Sequence, residues 1–231
     1  MVDGVYIKFK KQLINDVTDK VQTKVSYLVA IGASAGGLEA INEFFDNFPP
    51  NDNFSFVIIQ HLSAEHKSLL VELMGKHTHM AVHEAQEGMF IKPKEIYVIP
   101  NNRFITLKHG KLKLIDKNSS GPNNAVDVFL NSLAEEKKEK AVAIILSGTG
   151  SDGTKGIENV KKQGGLVIVQ DPLSAKFDGM PNSAIASGQA DLILEPELMP
   201  EEMFRLLQQW HDTSSRSRRR ESMQIFSRSL P

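Results

Sequence analysis

The sequence predicts an α/β fold: a doubly wound, mainly parallel sheet with helices on both faces and an antiparallel β-hairpin as an embellishment. Three observations predict it. Near-continuous Val/Ile/Leu runs of strand length recur along the chain, as parallel strands covered on both faces require. Segments with helical spacing of apolar residues lie between those runs. One pair of alternating segments flanks His109-Gly110, the pattern of a two-residue hairpin turn.

In chain order, residues 1–25 are polar and weakly patterned and are expected to form a leader. The predicted strands are SYLVAIG (26–32), FSFVIIQ (54–60), EIYVI (95–99), AVAIILS (141–147), LVIVQ (166–170) and DLILE (191–195). The predicted helices are GGLEAINEFFDNF, HKSLLVELMGKH, AVDVFLNSLAEEKKEK and TKGIENVKKQ. In the third, Val126, Phe129, Leu130 and Leu133 fall at i, i+3, i+4 and i+7 and make one apolar face. Asn123 or Asn124 is placed to cap it. The hairpin is FITLKHGKLKLI (104–115), and residues 171–181 (DPLSAKFDGMP) read as a loop beside the sheet edge. The main domain is expected over 26–210. Residues 211–231 begin with the basic stretch HDTSSRSRRRES and read as a flexible tail or linker.

Composition excludes several classes. The 231 residues suit one sizeable domain. A net charge of −1 argues against broad nucleic-acid binding. The chain has no cysteine, so disulfides, thiolate metal sites and cysteine nucleophiles are excluded. No signal peptide and no apolar stretch of membrane-spanning length is visible, so a cytoplasmic protein without membrane insertion is expected. His77, His79 and His83 are close in sequence but lack carboxylates at a spacing that would complete a metal site.

The stretch VAIGASAGGLEAI (29–41) raises the question of function. It departs from the dinucleotide fingerprint, because Ser34 stands where the second glycine belongs and the next strand ends in Gln60-His61 rather than an acid. Gly32-Ala33-Ser34-Ala35-Gly36 instead fits G-x-S-x-G, the nucleophile elbow, in which a strained strand-to-helix turn exposes a serine. Small residues around such a serine also suit a plain tight turn. His61 follows the second strand, so a parallel sheet brings it to the same edge as Ser34, where it could act as a base. Asp152 follows the AVAIIL strand and could orient the imidazole. Asp171 and Asp191 also flank strands and remain rivals, and an aspartate before glycine is often a turn cap. GTGSDGTK misses the P-loop pattern, since Thr154 and Lys155 are transposed.

Taken together, IGASAGG, IIQHLS, LSGTGSDGTKG, GGLVIVQDP and FDGMPNSAI resemble, in order and spacing, the chemotaxis protein-glutamate methylesterase family, the CheB catalytic domain. The resemblance spans about residues 26–210. It implies a Ser-His-Asp hydrolase with Ser34 as nucleophile, His61 as base and Asp152 as orienting acid, and with no metal or cofactor. Backbone N–H groups at Ala35, Gly36, Thr149 and Gly150 are the implied oxyanion donors, and Met180 is expected to line the cleft. The implied substrate is a glutamate methyl ester on the cytoplasmic helices of a chemoreceptor or similar signalling protein, with glutamine deamidation as a related activity. Single-function members usually carry threonine after the serine and methionine in the glycine loop. Ala35 and Thr149 are instead similar to the methylesterase segment of hybrids with a receptor methyltransferase, so a fused or separate methyltransferase and regulatory partners are further expectations. Residues 1–25 are too few for the receiver domain of response-regulator members, so an uncovered site is expected. The alternatives are a catalytically silent interaction module of the same fold and a nucleotide-binding α/β protein.

Overall fold

The computed structural model describes residues 27–51, 53–60, 69–117 and 124–210. Residues 1–26, 52, 61–68, 118–123 and 211–231 lie outside these; the expectations for the leader, the tail, His61 and Asn123 therefore fall outside the described residues.

Seven strands form one wholly parallel sheet. They are β1 (Tyr27–Ala33), β2 (Phe54–Gln60), β3 (Ala81–Glu84), β4 (Glu95–Val98), β7 (Ala141–Ile145), β8 (Leu166–Gln170) and β9 (Leu192–Leu194). Their order is β3-β4-β2-β1-β7-β8-β9. The chain therefore builds outward from β1 on one side, then returns to β1's other side with β7. This is a topological switch point, and open α/β sheets bind ligands outside the carboxyl ends of the strands there. β5 (Arg103–Lys108) and β6 (Lys111–Asp116) form the separate antiparallel hairpin. Its turn residues His109 and Gly110 have φ of 52° and 72°, the left-handed pair that a two-residue hairpin favours.

Central strands are apolar on both sides because both faces are covered. On one face, α3 (Ala125–Lys137), α4 (Thr154–Lys162), α5 (Gly179–Ala186) and the hairpin surround Phe129, Leu130, Ile157, Val160, Leu107 and Met180. Val126, Phe129, Leu130 and Leu133 are all buried, as their helical spacing predicts. On the other face, α1 (Gly37–Asp46), α2 (Leu69–Met74) and a helix over 199–210, here α6, enclose Phe44, Phe56, Met74, Met199 and Met203.

Three features differ from expectation. β3 is a short edge strand whose residues are exposed or half-buried, so no apolar run announces it. Residues 179–181 belong to α5 rather than to a loop; Pro181 is the third helical residue, where its missing N–H has no intrahelical acceptor to lose. Asn124 stands at the N-cap of α3 but makes no side-chain capping bond. Asp152 does that work from another loop, as described below. Among the described residues, no helix is long and apolar enough to cross a membrane.

Candidate active site

β1 is apolar and buried through Ala33, and the chain leaves the sheet at Ser34. The Ser34 N–H donates to the Ser147 carbonyl at 3.0 Å, extending the β1–β7 ladder past the ends of both strands. The Gly37 N–H then donates to the Ser34 carbonyl at 3.0 Å, and α1 begins. Gly36 makes the turn with φ of 70°, and a Cβ there would lie 2.8 Å from Ser147 Oγ. The strand-to-helix turn is present over 34–36, and its left-handed residue is Gly36, since Ser34 itself has no positive φ. The first glycine of the motif serves packing: a Cβ on Gly32 would sit 2.4 Å from Val126 Cγ1. The outcome is a half-buried serine at the N-terminal end of α1, where the helix dipole favours developing negative charge.

β7 delivers the second wall. Its continuation Ser147-Gly148 is buried, whereas Thr149 and Gly150 are exposed. The Gly148 N–H is occupied by the Phe177 carbonyl at 2.9 Å. Among the described residues, the N–H groups of Ala35, Gly36, Thr149 and Gly150 have no protein acceptor. Among the described residues, nothing competes with a ligand oxygen for those four. Met180 is buried against this wall: a Cβ on Gly148 would lie 2.2 Å from Met180 Sδ and 2.9 Å from Ser34 Cβ. Met180 thus supports the site from behind, through Gly148, and is not an open lining residue. Leu173 and Phe177, both exposed, stand on the adjoining 171–178 segment, which Lys176 ties to Glu39 of α1 by a 3.0 Å ion pair.

Asp152 lies in the same loop, just before α4. Its Oδ2 accepts the Val126 N–H and its Oδ1 the Asp127 N–H, both at 3.0 Å, so it caps α3. Burial pushes its carboxyl up to about 6; the N–H bonds from Asp127 and Val126 oppose the rise, and the Asp127 carboxylate adds to it. The rival aspartates are engaged elsewhere. Asp171 accepts the Leu173 N–H in its own turn, and Asp191 binds Lys161 Nζ and the Val167 N–H.

Ser34, Ala35, Gly36, Gly148 and Met180 are thus brought together at one strand edge, with Thr149, Gly150 and Asp152 in the loop that follows β7. His61 lies outside the described residues. Its predecessor Gln60 pairs in register with Ala33, the predecessor of Ser34. Of the other histidines, His77 Nδ1 meets Asp46 at 2.8 Å and His83 lies 3.4 Å from Glu95. Two residues escaped the sequence reading: Ser147 and Gln170, both fully buried and joined by a 2.8 Å bond from the Ser147 N–H to Gln170 Oε1. The signal was available, since a polar residue closing an otherwise apolar buried strand needs a partner.

A serine at the switch point of a doubly wound sheet, at the N-terminal end of a helix and beside N–H groups with no acceptor among the described residues, is the arrangement of a candidate serine esterase of the α/β class. Residues 29–203 match the CheB methylesterase family, and the chain belongs to that family. It is similar to the protein-glutamate methylesterase/protein-glutamine glutaminase of Thermotoga maritima, at 35% identity over 78% of this chain and 54% of that protein. A putative protein of the same description from Leptospira interrogans is 32% identical over 77% of this chain and 93% of the relative. The chain thus spans about half the length of the first relative and nearly all of the second. The crystal structure of the Thermotoga maritima CheB methylesterase catalytic domain matches with a TM-score of 0.71 at 33% identity, covering 78% of this chain and 98% of that one. By family and by fold, this is a CheB-type methylesterase domain.

Proposed function

We propose that the domain hydrolyses glutamate methyl esters on the cytoplasmic region of a chemoreceptor or similar signalling protein, with Ser34, His61 and Asp152 as its catalytic residues. The observation that carries this reading is the position of Ser34: at the β1–β7 switch point, ahead of α1, and beside N–H groups that have no acceptor among the described residues. The Ala33–Gln60 register supports His61 as the base, because the next residue on each strand is Ser34 and His61.

In this reading Ser34 Oγ attacks the γ-carbonyl carbon of the ester while His61 takes its proton. The carbonyl oxygen becomes an oxyanion, met by N–H groups among Ala35, Gly36, Thr149 and Gly150. Loss of one such donor typically costs about 10²–10³ in rate. Collapse breaks the C–O bond to the methoxy group, and His61 returns the proton so that methanol leaves. Water then attacks the acyl-enzyme by the same route and frees the glutamate and Ser34. Asp152 holds the imidazole in the tautomer that can accept from serine. A glutamine side chain would give the same acyl-enzyme with ammonia leaving. Both relatives' names join the two activities, which favours deamidation as a second reaction of the site.

The test is methanol release from a methylated chemoreceptor fragment, compared with ammonia release from its unmodified glutamine form. Methanol release that disappears in Ser34→Ala supports the reading. Absence of release from any methylated receptor fragment, with intact fold, points to an interaction module instead.

A further inference from the structure

We infer that Ser147 is a positioning residue for the reaction, the node through which the 171–178 segment fixes the backbone that follows Ser34. The inference rests on Ser34 being the nucleophile. Ser147 is fully buried, and every polar atom it owns is used. Its carbonyl accepts the Ser34 N–H at 3.0 Å. Its N–H donates to Gln170 Oε1 at 2.8 Å, and Gln170 Nε2 continues to Ser174 Oγ at 3.2 Å. Its hydroxyl accepts the Phe177 N–H at 3.0 Å and has one proton to give. The Ala35 carbonyl at 2.9 Å is the nearer acceptor, and the Phe177 carbonyl stands at 3.3 Å.

One hydroxyl therefore joins the turn that follows the nucleophile to the segment carrying the exposed Leu173 and Phe177. The peptide planes on either side of Ala35 carry two of the candidate oxyanion donors. Fixing the Ala35 carbonyl orients the plane to Gly36 directly, and the Ser34 N–H bond to Ser147 holds the residue before it. Ser147 makes no approach to the reacting atoms of its own; it acts through Ser34 and Ala35. In a buried setting a missing partner is not replaced by water, so removing the hydroxyl leaves the Ala35 carbonyl and the Phe177 N–H to find new geometry. Misplacement on that scale at a reacting centre costs on the order of tenfold to a hundredfold in rate.

The experiment measures kcat for ester hydrolysis per active site, with sites counted by complete labelling with a fluorophosphonate. Counting sites removes any contribution from misfolded protein, which a merely structural role would move. Ser147→Ala is expected to lower kcat per labelled site about tenfold or more, with KM for a small activated ester changed by less than about twofold. Ser147→Thr, which keeps the hydroxyl, is expected to recover most of the rate per site. If Ser147→Ala keeps wild-type kcat per labelled site and only the labelled fraction falls, the positioning role is overturned. Ser34→Ala is measured alongside: if it retains turnover, the nucleophile assignment fails, whatever Ser147 does. If it is inactive while Ser147→Ala is unchanged per site, the failure belongs to Ser147 alone.

Discussion

Asp152 and Asp127 cap each other's helices. Asp152, in the loop that begins α4, accepts the Val126 and Asp127 N–H groups of α3, and Asp127 Oδ1 accepts the Gly156 N–H of α4 at 2.8 Å. Two helix N-termini thus meet at the sheet edge that holds Ser34, each filled by the other's carboxylate. Such ends leave orphan N–H groups and positive potential, which anionic acceptors satisfy. The carboxylate assigned to orient His61 is therefore held by backbone rather than by a mobile side chain.

This pairing predicts a pH dependence. Burial, reinforced by Asp127, raises Asp152 from its ordinary 3.8 to about 6, so the carboxylate gains a proton as pH falls through about 6. Only the anion can stabilise an imidazolium, so kcat/KM should fall on the acid side of that value. Asp127→Asn keeps an acceptor for Gly156 but removes the like charge, and it should move the acid limb to lower pH. Stability has the opposite sense. The folded chain holds this proton more tightly than the unfolded one between pH 3.8 and about 6, so the Asp152 contribution falls as pH rises through that window. Comparing pH–rate profiles of wild type and Asp127→Asn checks the first point; an acid limb that stays in place counts against the pairing.

Gly148 has no room for a side chain. A Cβ there would meet Met180 Sδ at 2.2 Å and Ser34 Cβ at 2.9 Å. Gly148→Ala should displace the serine or the loop and lower kcat/KM on the order of a hundredfold, since small misplacements at a reacting centre cost that much. Steady-state kinetics on a small ester, with circular dichroism to confirm the fold, gives the answer.

Away from the site, Phe56 is fully buried, with ring centroids 5.0 Å from both Phe45 and Phe48. Phe56→Ala should cost about 3–5 kcal/mol of stability through lost burial and a residual cavity. Urea unfolding of the variant measures this directly.

What the sequence reveals follows from what must be apolar. β2 and β8 span the segments FSFVIIQ and LVIVQ that the sequence predicts, because both of their faces are covered. The edge strand β3 has no such requirement and carries no run. The turn at Ser34 was legible as a motif, but its geometry was not: a pattern of glycines does not say which residue takes the left-handed conformation, and Gly36 does. Of the two asparagines placed to cap α3, Asn124 stands at the N-cap without a side-chain bond, for a related reason. Local capping rules see neighbours in sequence, whereas Asp152 reaches its partners from 25 and 26 residues away. Ser147 and Gln170 carry a signal as polar residues closing apolar runs, but that they pair with each other depends on which strands become adjacent.

The most direct test of the central claim is the identity of the residue that becomes acylated. The wild-type domain is treated with a fluorophosphonate, or quenched during turnover of an activated ester, and its peptides are analysed by mass spectrometry. The adduct is expected on Ser34, with stoichiometric loss of methanol-releasing activity and no labelling of Ser34→Ala. An adduct on another residue, or full activity in protein whose Ser34 is completely modified, would contradict the assignment of Ser34 as the nucleophile.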